Sequence, residues 1–558
     1  MDRLSGSEIV LETLKSRGVK AVFGLPGGAI MPLYDALYDE KSIRHILVRH
    51  EQGAAHAADG YARASGLPGV AIATSGPGAT NLLTGISTAY ADSSPIIAIT
   101  GQVPVSYIGK DAFQEADLYS LVLPITKHNF LVKDVNELPK VLNRAFDIAL
   151  SGRPGPVHID LPKDIQTKKI SKKITYKQFY TGKTPLVSLK KIKQIAKVMM
   201  NADRPVILAG GGAIISNAVE EVRLLSEMFS APVATTLMGK GSISEYHPLA
   251  LGMIGMHGTK AANYAVMETD CLIAVGCRFD DRATGDERSF APKAKIIHID
   301  IDPSEIDKNV KSYLSVTGDA KEVLKSLIYY MQTAAIKKEN TAWQQRIRQL
   351  KKDNPLPEPD ESNPIKPPLI IKKMNSLLRE DDIVVTEVGQ CEMWAALYYK
   401  PRKPRTVIWS GGQGTMGFGL PASIGAKVAK PDSTVIDVAG DGSFLMVCHE
   451  LATSVENNVP VIAAIINNRY LGMVRQWQEL FYEKRYSYTF LGEKTNFVKL
   501  AEAFGAKGIR VTRSSEIEDA FREAIKSKET TVIDFEVDRE CNVFPMVRPG
   551  GQIDKMIG

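Results

Sequence analysis

Cysteine is scarce in this sequence. Cys271, Cys277, Cys391, Cys448 and Cys541 are spread over 558 positions, and no two form a C-x-x-C pair. That excludes the usual zinc and dithiol motifs and leaves free thiols in a reducing compartment as the simple expectation. Long apolar runs are missing: none approaches the roughly 18 residues that span a bilayer, so no membrane association is expected. Basic tracts are missing as well. The formal net charge is +6 over the whole chain, too thinly spread to mark nucleic acid as the main ligand. The N-terminal MDRLSGSEIVLETLKSRGVKAVFGLPGG lacks a signal-peptide pattern; Ile9, Leu11, Leu14 and Val19 fit an amphipathic helix instead. No transit-like extension precedes it, so a prokaryotic cytoplasm is the expected location.

What is present is a repeated alternation of strand-like and helix-like stretches. GVAIAT, PIIAIT, PVHIDL, RPVILA, CLIAVG, KIIHIDI, STVIDVAG, PVIAAII and TTVIDFEV are short, unbroken and rich in Val and Ile. Such runs are strands buried on both faces of a parallel sheet, and repeated βα units imply an α/β fold of doubly wound sheets. A chain of 558 residues exceeds one core. Two stretches break the pattern: the lysine-rich Gln166–Val187, and Leu350–Pro368 with its six prolines, which should hold neither helix nor central strand. Read as linkers (166–187 and 350–368), they leave three domains at 1–165, 188–349 and 369–558. The first and third look alike. TSGPGATNLLTGISTAYADSSPIIAITG and VAGDGSFLMVCHELATSVENNVPVIAAIINN each read strand, G-x-G turn, helix, x-x-Pro and apolar strand. Two copies of one fold that face each other would explain this.

The second of those segments carries chemistry. Asp441 lies between Gly440 and Gly442 at the end of one strand, and Asn468 ends the next. Ligands of open α/β sheets sit beyond the carboxyl ends of the strands, so neighbouring strands would aim both side chains into one crevice. Glycines allow close backbone approach, Ser443 opens a helix whose N-terminus favours phosphate, and one carboxylate with one amide suits Mg²⁺. Alone, an Asp-Gly turn and an Asn cap are common. GDG at 440–442 followed by NN at 467–468 resembles the thiamine diphosphate (ThDP) binding motif. That cofactor needs a carboxyl group at pyrimidine N1′, best placed in a dry pocket. Glu51, between the strand-like IRHILVRH and a helix of small residues, is the candidate; otherwise it would merely favour the helix dipole. The flanking His50 and His56 receive no role.

With these in place, the chain resembles the acetohydroxyacid synthase (acetolactate synthase) large catalytic subunits. The likeness runs through FGLPGGAIMPLYDAL, RHEQGAAHAADGYARASG, TSGPGATN, GQVP, DAFQEAD, GRPGPVHIDLPKD, GMHGTKAANYAV, RFDDR, SGGQGTMGFGLPASIGA, GDGSF, INNRYLGMVRQWQELFY and the terminal PGG. It implies a pyrimidine-binding first domain, an FAD-binding middle domain, a diphosphate- and Mg²⁺-binding third domain, and active sites shared between two subunits. Glu51 would be the N1′ partner. Gly389, Gln390, Gly414, Met416, Asp441, Gly442, Ser443, Asn468 and Met473 would hold ThDP, with Met416 under the bent cofactor. Asp441, Asn468 and the Tyr470 carbonyl would hold Mg²⁺. Phe113, Gln114 and Lys163 would line the substrate side, and Trp477 the acceptor pocket. FAD would lie on Arg153, Gly210, Gly211, Gly212, Thr236, Leu237, Met256, His257, Arg278, Asp280, Arg282, Asp300 and Asp319. The glycine triplet is weak alone, since it is not G-x-G-x-x-G, and RFDDR alone reads as a surface ion-pair cluster, though its place after strand CLIAVG strengthens the cofactor reading.

The activity so implied is decarboxylation of pyruvate and condensation of the two-carbon unit with a second pyruvate or with 2-oxobutyrate, in branched-chain amino-acid synthesis. A homodimer or dimer of dimers and a small regulatory subunit would accompany it. A pyruvate oxidase-type enzyme and a catabolic, FAD-independent acetolactate synthase are the alternatives; QWQELFY and RFDDR count against them. Departures from the family pattern are Leu25, Val105-Ser106, Cys391 and Arg469-Tyr470. Cys391 stands where histidine is usual, which puts a side-chain bond there in doubt, and Ser106 does the same for charge at the entrance.

Overall fold

The computed structural model describes residues 3–171 and 187–558. They form three six-stranded parallel sheets flanked by helices. The first contains β1 (Ala21–Gly24), β2 (Arg44–Leu47), β3 (Gly69–Ala73), β4 (Ile96–Gln102), β5 (His128–Leu131) and β6 (Val157–Pro162), in the order 2-1-3-4-6-5. The second contains β7 (Pro205–Ala209), β8 (Val233–Thr235), β9 (Ala250–Met253), β10 (Cys271–Val275), β11 (Lys295–Asp300) and β12 (Leu314–Thr317), in the order 9-8-7-10-11-12. The third contains β13 (Ile383–Thr386), β14 (Val407–Ile408), β15 (Val435–Gly440), β16 (Ile462–Asn467), β17 (Lys507–Val511) and β18 (Thr531–Glu536), in the order 14-13-15-16-18-17. The outer two sheets thus share one strand order. Their look-alike segments, β3–β4 and β15–β16, are the third and fourth strands of each. The middle sheet has the doubly wound order that places a ligand crevice between its first and fourth strands.

The central strands are apolar throughout because helices cover both faces: β3, β4 and β6 are buried at every position. At the amino end, Ile9, Leu11 and Leu14 are buried on the helix Gly6–Ser16, which Ser5 and Glu8 close with a capping box; Val19 lies beyond that helix.

The two proposed linkers differ from expectation at their edges. Gln166 belongs to the helix Lys163–Thr167, fully buried, with Nε2 donating to the Ala29 and Leu161 carbonyls at 2.7 and 2.9 Å. Lys169–Ile170 then pairs antiparallel with Leu4–Ser5. The first unit therefore reaches Ile170, and the rest of that stretch, 172–186, lies outside the described residues. Leu350–Asp353 completes the helix Thr341–Asp353, and Pro367–Pro368 opens the helix Pro367–Leu377. Proline is tolerated there because the first helical N–H groups have no intrahelical acceptor to lose.

The first and third domains meet at two helices in equivalent places, Glu51–Ser65 between β2 and β3 and Gly419–Ala429 between β14 and β15. Glycines make the contact possible. A Cβ on Gly60 would lie 2.1 Å from the Ala422 carbonyl oxygen, and one on Gly425 would lie 1.8 Å from that of Ala57. Gly425→Ala should therefore force the helices apart at a cost of about 1–3 kcal/mol. The check is a lowered thermal midpoint; an unchanged midpoint would mean the crossing is loose. Arg63 ties the same surfaces. Its guanidinium donates to Asp59 at 2.7 and 2.9 Å, to Asp92 at 2.9 Å, and to the Trp409 carbonyl. Asp92 in turn accepts from the Gly412 N–H at 2.6 Å, fixing the loop that leads to Met416.

Candidate active site

In the third sheet the strand order reverses between β13 and β15. Their carboxyl ends open the crevice where ligands of such sheets bind. β15 and β16 are neighbours, with Gly440 opposite Ile466, so Asp441 and Asn468 leave adjacent strand ends. Both are 4% exposed. The backbone N–H groups of Gly442, Asp441 and Arg469 favour the Asp441 carboxylate, yet burial dominates and pushes its pKa up to about 7. Asn468 is held in one orientation. Its Nδ2 donates to Gln390 Oε1 at 3.1 Å, while its Oδ1 accepts from the Tyr470 N–H at 3.0 Å. Gln390 is itself fixed, donating to Gln476 Oε1 at 2.8 Å and to the Cys541 carbonyl at 3.2 Å. Gly472 is required beside them: a Cβ would lie 2.2 Å from Gln390 Oε1.

Glycine lines the open side. A Cβ on Gly389, at φ +139°, would meet nothing within 4 Å, and one on Gly414, at φ +62°, would touch only Val388 at 3.6 Å. The half-buried Met416 reaches over the turn, its Cε 3.9 Å from a Cβ on Gly442. Met473 opens the following helix, Gly472–Phe481, and packs on the third-domain core. Ser443 Oγ donates to Glu387 at 2.5 Å and accepts from the Gly417 N–H at 2.9 Å, so its hydroxyl is already committed. Cys391 is buried, its thiol donating to the Glu387 carbonyl at 3.3 Å. It fills space behind Gly440 and offers no bond to a ligand.

The first sheet reverses at the matching place, between β1 and β3. Glu51 begins its helix there, 6% exposed, and accepts from Asn81 Nδ2 at 2.9 Å. Its Oε1 would lie 3.0 Å from a Cβ on Gly78, so glycine keeps that carboxyl approachable. Burial and the Glu51 charge together push the Tyr34 hydroxyl well up from its ordinary pKa. Glu450 of the third domain seats the helix start, accepting from the Arg49 and His50 N–H groups at 3.3 and 3.0 Å. His50 accepts from the Gln52 N–H, and burial lowers His56 to about 4, leaving a neutral ring edge-on to Phe418. Gln114, at φ +59°, packs its backbone on the Gly76 turn. Phe113 beside it is 88% exposed, and Lys163 is exposed at the end of β6. Among the described residues, no hydrogen bond or ion pair joins Glu51 to Asp441 or Asn468.

Of the residues proposed for FAD, all but Arg153 end or follow one of the six strands of the middle sheet at its carboxyl edge. Gly210–Gly212 follows β7, Thr236 and Leu237 follow β8, Met256 and His257 follow β9, and Arg278, Asp280 and Arg282 follow β10. Asp300 ends β11 and Asp319 follows β12. Gly210 and Gly212 interlock with Gly276 at the switch point: a Cβ on Gly210 would lie 2.1 Å from the Gly276 carbonyl oxygen. Asp280 and Asp319 cap helices, accepting from Arg282 and Glu322 N–H groups at 3.1 Å. Arg153 donates to Ser93 Oγ and Glu305 at 2.8 and 3.0 Å. Burial raises Asp300 to about 6 and lowers His257 to about 4, and His257 Nδ1 is buried without a partner. Arg282 lies over the Trp477 ring at 5.8 Å, which joins the middle domain to the Gly472–Phe481 helix; Trp477 Nε1 is also buried without a partner.

Sequence reading missed Glu387, Gln476, Asn81 and Glu450. Only Glu387 had a visible signal, a lone acid closing the apolar run IVVT. Among the described residues no helix is long and apolar enough to cross a membrane, and no cluster of three or more His, Cys, Asp or Glu side chains could hold a metal.

Three family descriptions match in chain order. Residues 4–121 match the N-terminal TPP binding domain of thiamine pyrophosphate enzymes, 192–327 their central domain, and 387–535 their C-terminal TPP binding domain. A Methanocaldococcus jannaschii protein named "Probable acetolactate synthase large subunit" is 53% identical, over 99% of this chain and 95% of its own. The Mycobacterium bovis "Acetolactate synthase" is 45% identical over 100% and 92%. The Escherichia coli "Acetolactate synthase isozyme 2 large subunit" is 44% identical over 99% of both chains. With the glycine turn, the oriented asparagine and the buried glutamate at two matching switch points, these findings show that the chain belongs to the thiamine pyrophosphate enzymes, in the family of acetolactate synthase large subunits.

Proposed function

We propose that the protein is an acetolactate synthase that joins the two-carbon unit of pyruvate to a second 2-oxoacid. The observation that carries this is the pairing of β15 with β16, which sets Asp441 and the oriented Asn468 side by side at an open glycine cradle. The donor set fits a magnesium diphosphate: one carboxylate, one amide oxygen and the Tyr470 carbonyl are hard and few, leaving room for water and phosphate oxygens. Gly389, Gly414 and Gly442 give backbone access, Gln390 locks Asn468, and Met416 and Met473 supply apolar contact beside the turn. When bound, ThDP supplies the electron sink that stabilises a carbanion equivalent. Glu51 would hydrogen-bond the aminopyrimidine and hold a proton there, with Asn81 fixing the carboxyl and the burial at Gly78 excluding water. Gln114, Phe113 and Lys163 orient the 2-oxoacids, giving 2-acetolactate or 2-aceto-2-hydroxybutyrate.

Glu51 and the Asp441 turn lie on different domains with no bond between them among the described residues, and both domains expose large apolar side chains: Phe113, Leu121 and Leu123 on the first, Met446, Val474 and Phe490 on the third. Such patches mark a contact between copies, so a homodimer or a dimer of dimers forms, with Glu51 of one copy facing the turn of the other. FAD fits the middle crevice, where His257 Nδ1 has no protein partner, and takes no electrons in this reaction. The relatives' names speak of large subunits, and a small regulatory subunit is the corresponding partner here. Free thiols suit a reducing compartment such as the cytoplasm, and the enzyme's role is branched-chain amino-acid synthesis.

Incubating the purified protein with pyruvate, ThDP and Mg²⁺, with and without FAD, tests the reading. 2-Acetolactate with dependence on FAD is expected. Acetyl phosphate with oxygen uptake would assign an oxidase instead, and full activity without FAD the catabolic type. Trp477→Leu should shift products toward 2-acetolactate when pyruvate and 2-oxobutyrate compete, by about 10-fold or more, since one methylene is worth ~1–3 kcal/mol. An unaltered product ratio would remove Trp477 from the acceptor pocket.

A further inference from the structure

Glu387 is fully buried one residue past β13, at the switch point of the third sheet. Its carboxylate collects donors from both sides of the crevice. Oε2 accepts from the Gly417 N–H at 2.9 Å and from Ser443 Oγ at 2.5 Å; Oε1 accepts from the Leu420 N–H at 3.1 Å. Leu420 and Gly417 lie at the start of the eleven-residue helix Gly419–Ala429, whose positive end favours an anion. The nearby Asp437 is also fully buried, but both its oxygens lack partners, and a Cβ on Gly419 would lie 2.2 Å from its Oδ1. The two acids are therefore not equivalent. Burial raises both carboxyls, Asp437 well above its ordinary range, and Glu387, with both oxygens bonded, is the acid whose geometry this helix start accommodates.

Gly417 follows Met416, and Ser443 belongs to the Asp441 turn. A single carboxylate thus fastens the methionine loop to the diphosphate turn across the crevice. We propose that Glu387 is a positioning residue: it sets the separation of Met416 from the Gly440–Ser443 turn, and so the shape into which the bound cofactor must bend. This rests on the ThDP reading of the site given above. The mechanism needs no contact between Glu387 and the cofactor. Ser443 Oγ spends its proton on Glu387, so the hydroxyl serves the linkage.

The test is Glu387→Gln, which keeps the volume but sets an NH₂ against a backbone N–H, either that of Gly417 or that of Leu420. Titrating the purified full-length protein with ThDP and Mg²⁺ should show about tenfold weaker binding, from the loss of one charge-assisted bond. The near-ultraviolet circular dichroism of the bound aminopyrimidine should change, and kcat should fall more than KM rises. Ser443→Ala, which removes only the bridging hydroxyl, should weaken binding in the same direction. The double variant should then be no worse than the stronger single one, because both break one linkage. Should Glu387→Gln fail to fold, Ser443→Ala alone carries the test with the same readouts. Unchanged affinity and an unchanged spectrum in folded variants, or fully additive losses, would overturn the proposal. Wild-type protein that bound no ThDP would instead overturn the functional reading on which it rests.

Discussion

Glu51→Gln is expected to reduce turnover by about 10²–10⁴-fold, the range for losing a general acid–base group. It should leave the fold and ThDP affinity close to those of the parent. The geometry separates the two effects. Asn81 Nδ2 donates to Glu51 Oε2, and a glutamine carbonyl accepts the same bond in the same place. The helix start is secured by Glu450 through the Arg49 and His50 N–H groups, which the substitution does not touch. What the amide cannot do is hold and release a proton against the aminopyrimidine. Steady-state turnover, ThDP titration and the thermal midpoint together check this. Near-normal turnover would mean that the carboxyl serves only the helix end.

The second large effect is at the metal turn. Asp441→Ala should weaken Mg²⁺-dependent ThDP binding by on the order of 100-fold or more, since removing one partner of a buried charged contact costs about 2–5 kcal/mol. Stability should move differently. Burial raises this carboxyl to about 7, above its unfolded value. Its protonated form therefore adds stability at low pH, and that stability is lost as pH rises through about 7. At pH 8 the cofactor-free protein carries an ionised carboxylate in a dry turn, and alanine relieves it. The cofactor-free variant should melt no lower than the parent at pH 8, while gaining little from added ThDP and Mg²⁺. A large cofactor-induced rise in its midpoint would remove Asp441 from the ligand set.

Much of this was legible in the residues because parallel central strands leave a plain signature. PVIAAII is apolar at consecutive positions and the VIDVAG of STVIDVAG is broken only by the buried Asp437, and each forms the strand it implied, ending where Gly440 and Asn467 end it. The likeness of the first and third segments has a counterpart in a strand order shared by those two sheets and not by the middle one. Edge strands were harder. β14 has two residues, and β17 is half exposed along most of its length, so neither carries enough apolar pattern to stand out. The domain edges were misjudged where a local rule met a tertiary contact. Gln166 reads as a polar linker residue but is buried by two carbonyl acceptors from other elements, and Pro367 reads as a breaker but starts a helix.

At the site, residue types were legible and their pairings were not. Nothing in INN says that Gln390 will orient Asn468, or that Glu450 of the third domain will seat the Glu51 helix of the first. These contacts join residues 78 and 400 positions apart. Likewise nothing in RFDDR says that Asp280 will cap a helix or that Arg282 will lie over an indole. A burial pattern of this kind is set by three dimensions, and composition does not report it.

The central claim is that each reaction centre is built from two copies, Glu51 from one and the Asp441 turn from the other. Co-expressing differently tagged Glu51→Gln and Asp441→Ala chains and isolating the mixture tests it directly. Each variant alone should be nearly inactive. In a mixed two-fold dimer one site inherits both defects and the other neither, so a random mixture should recover about a quarter of parental activity. Recovery at that level is the predicted result; a mixture as inactive as its parts would place both groups in sites within one chain and contradict the account.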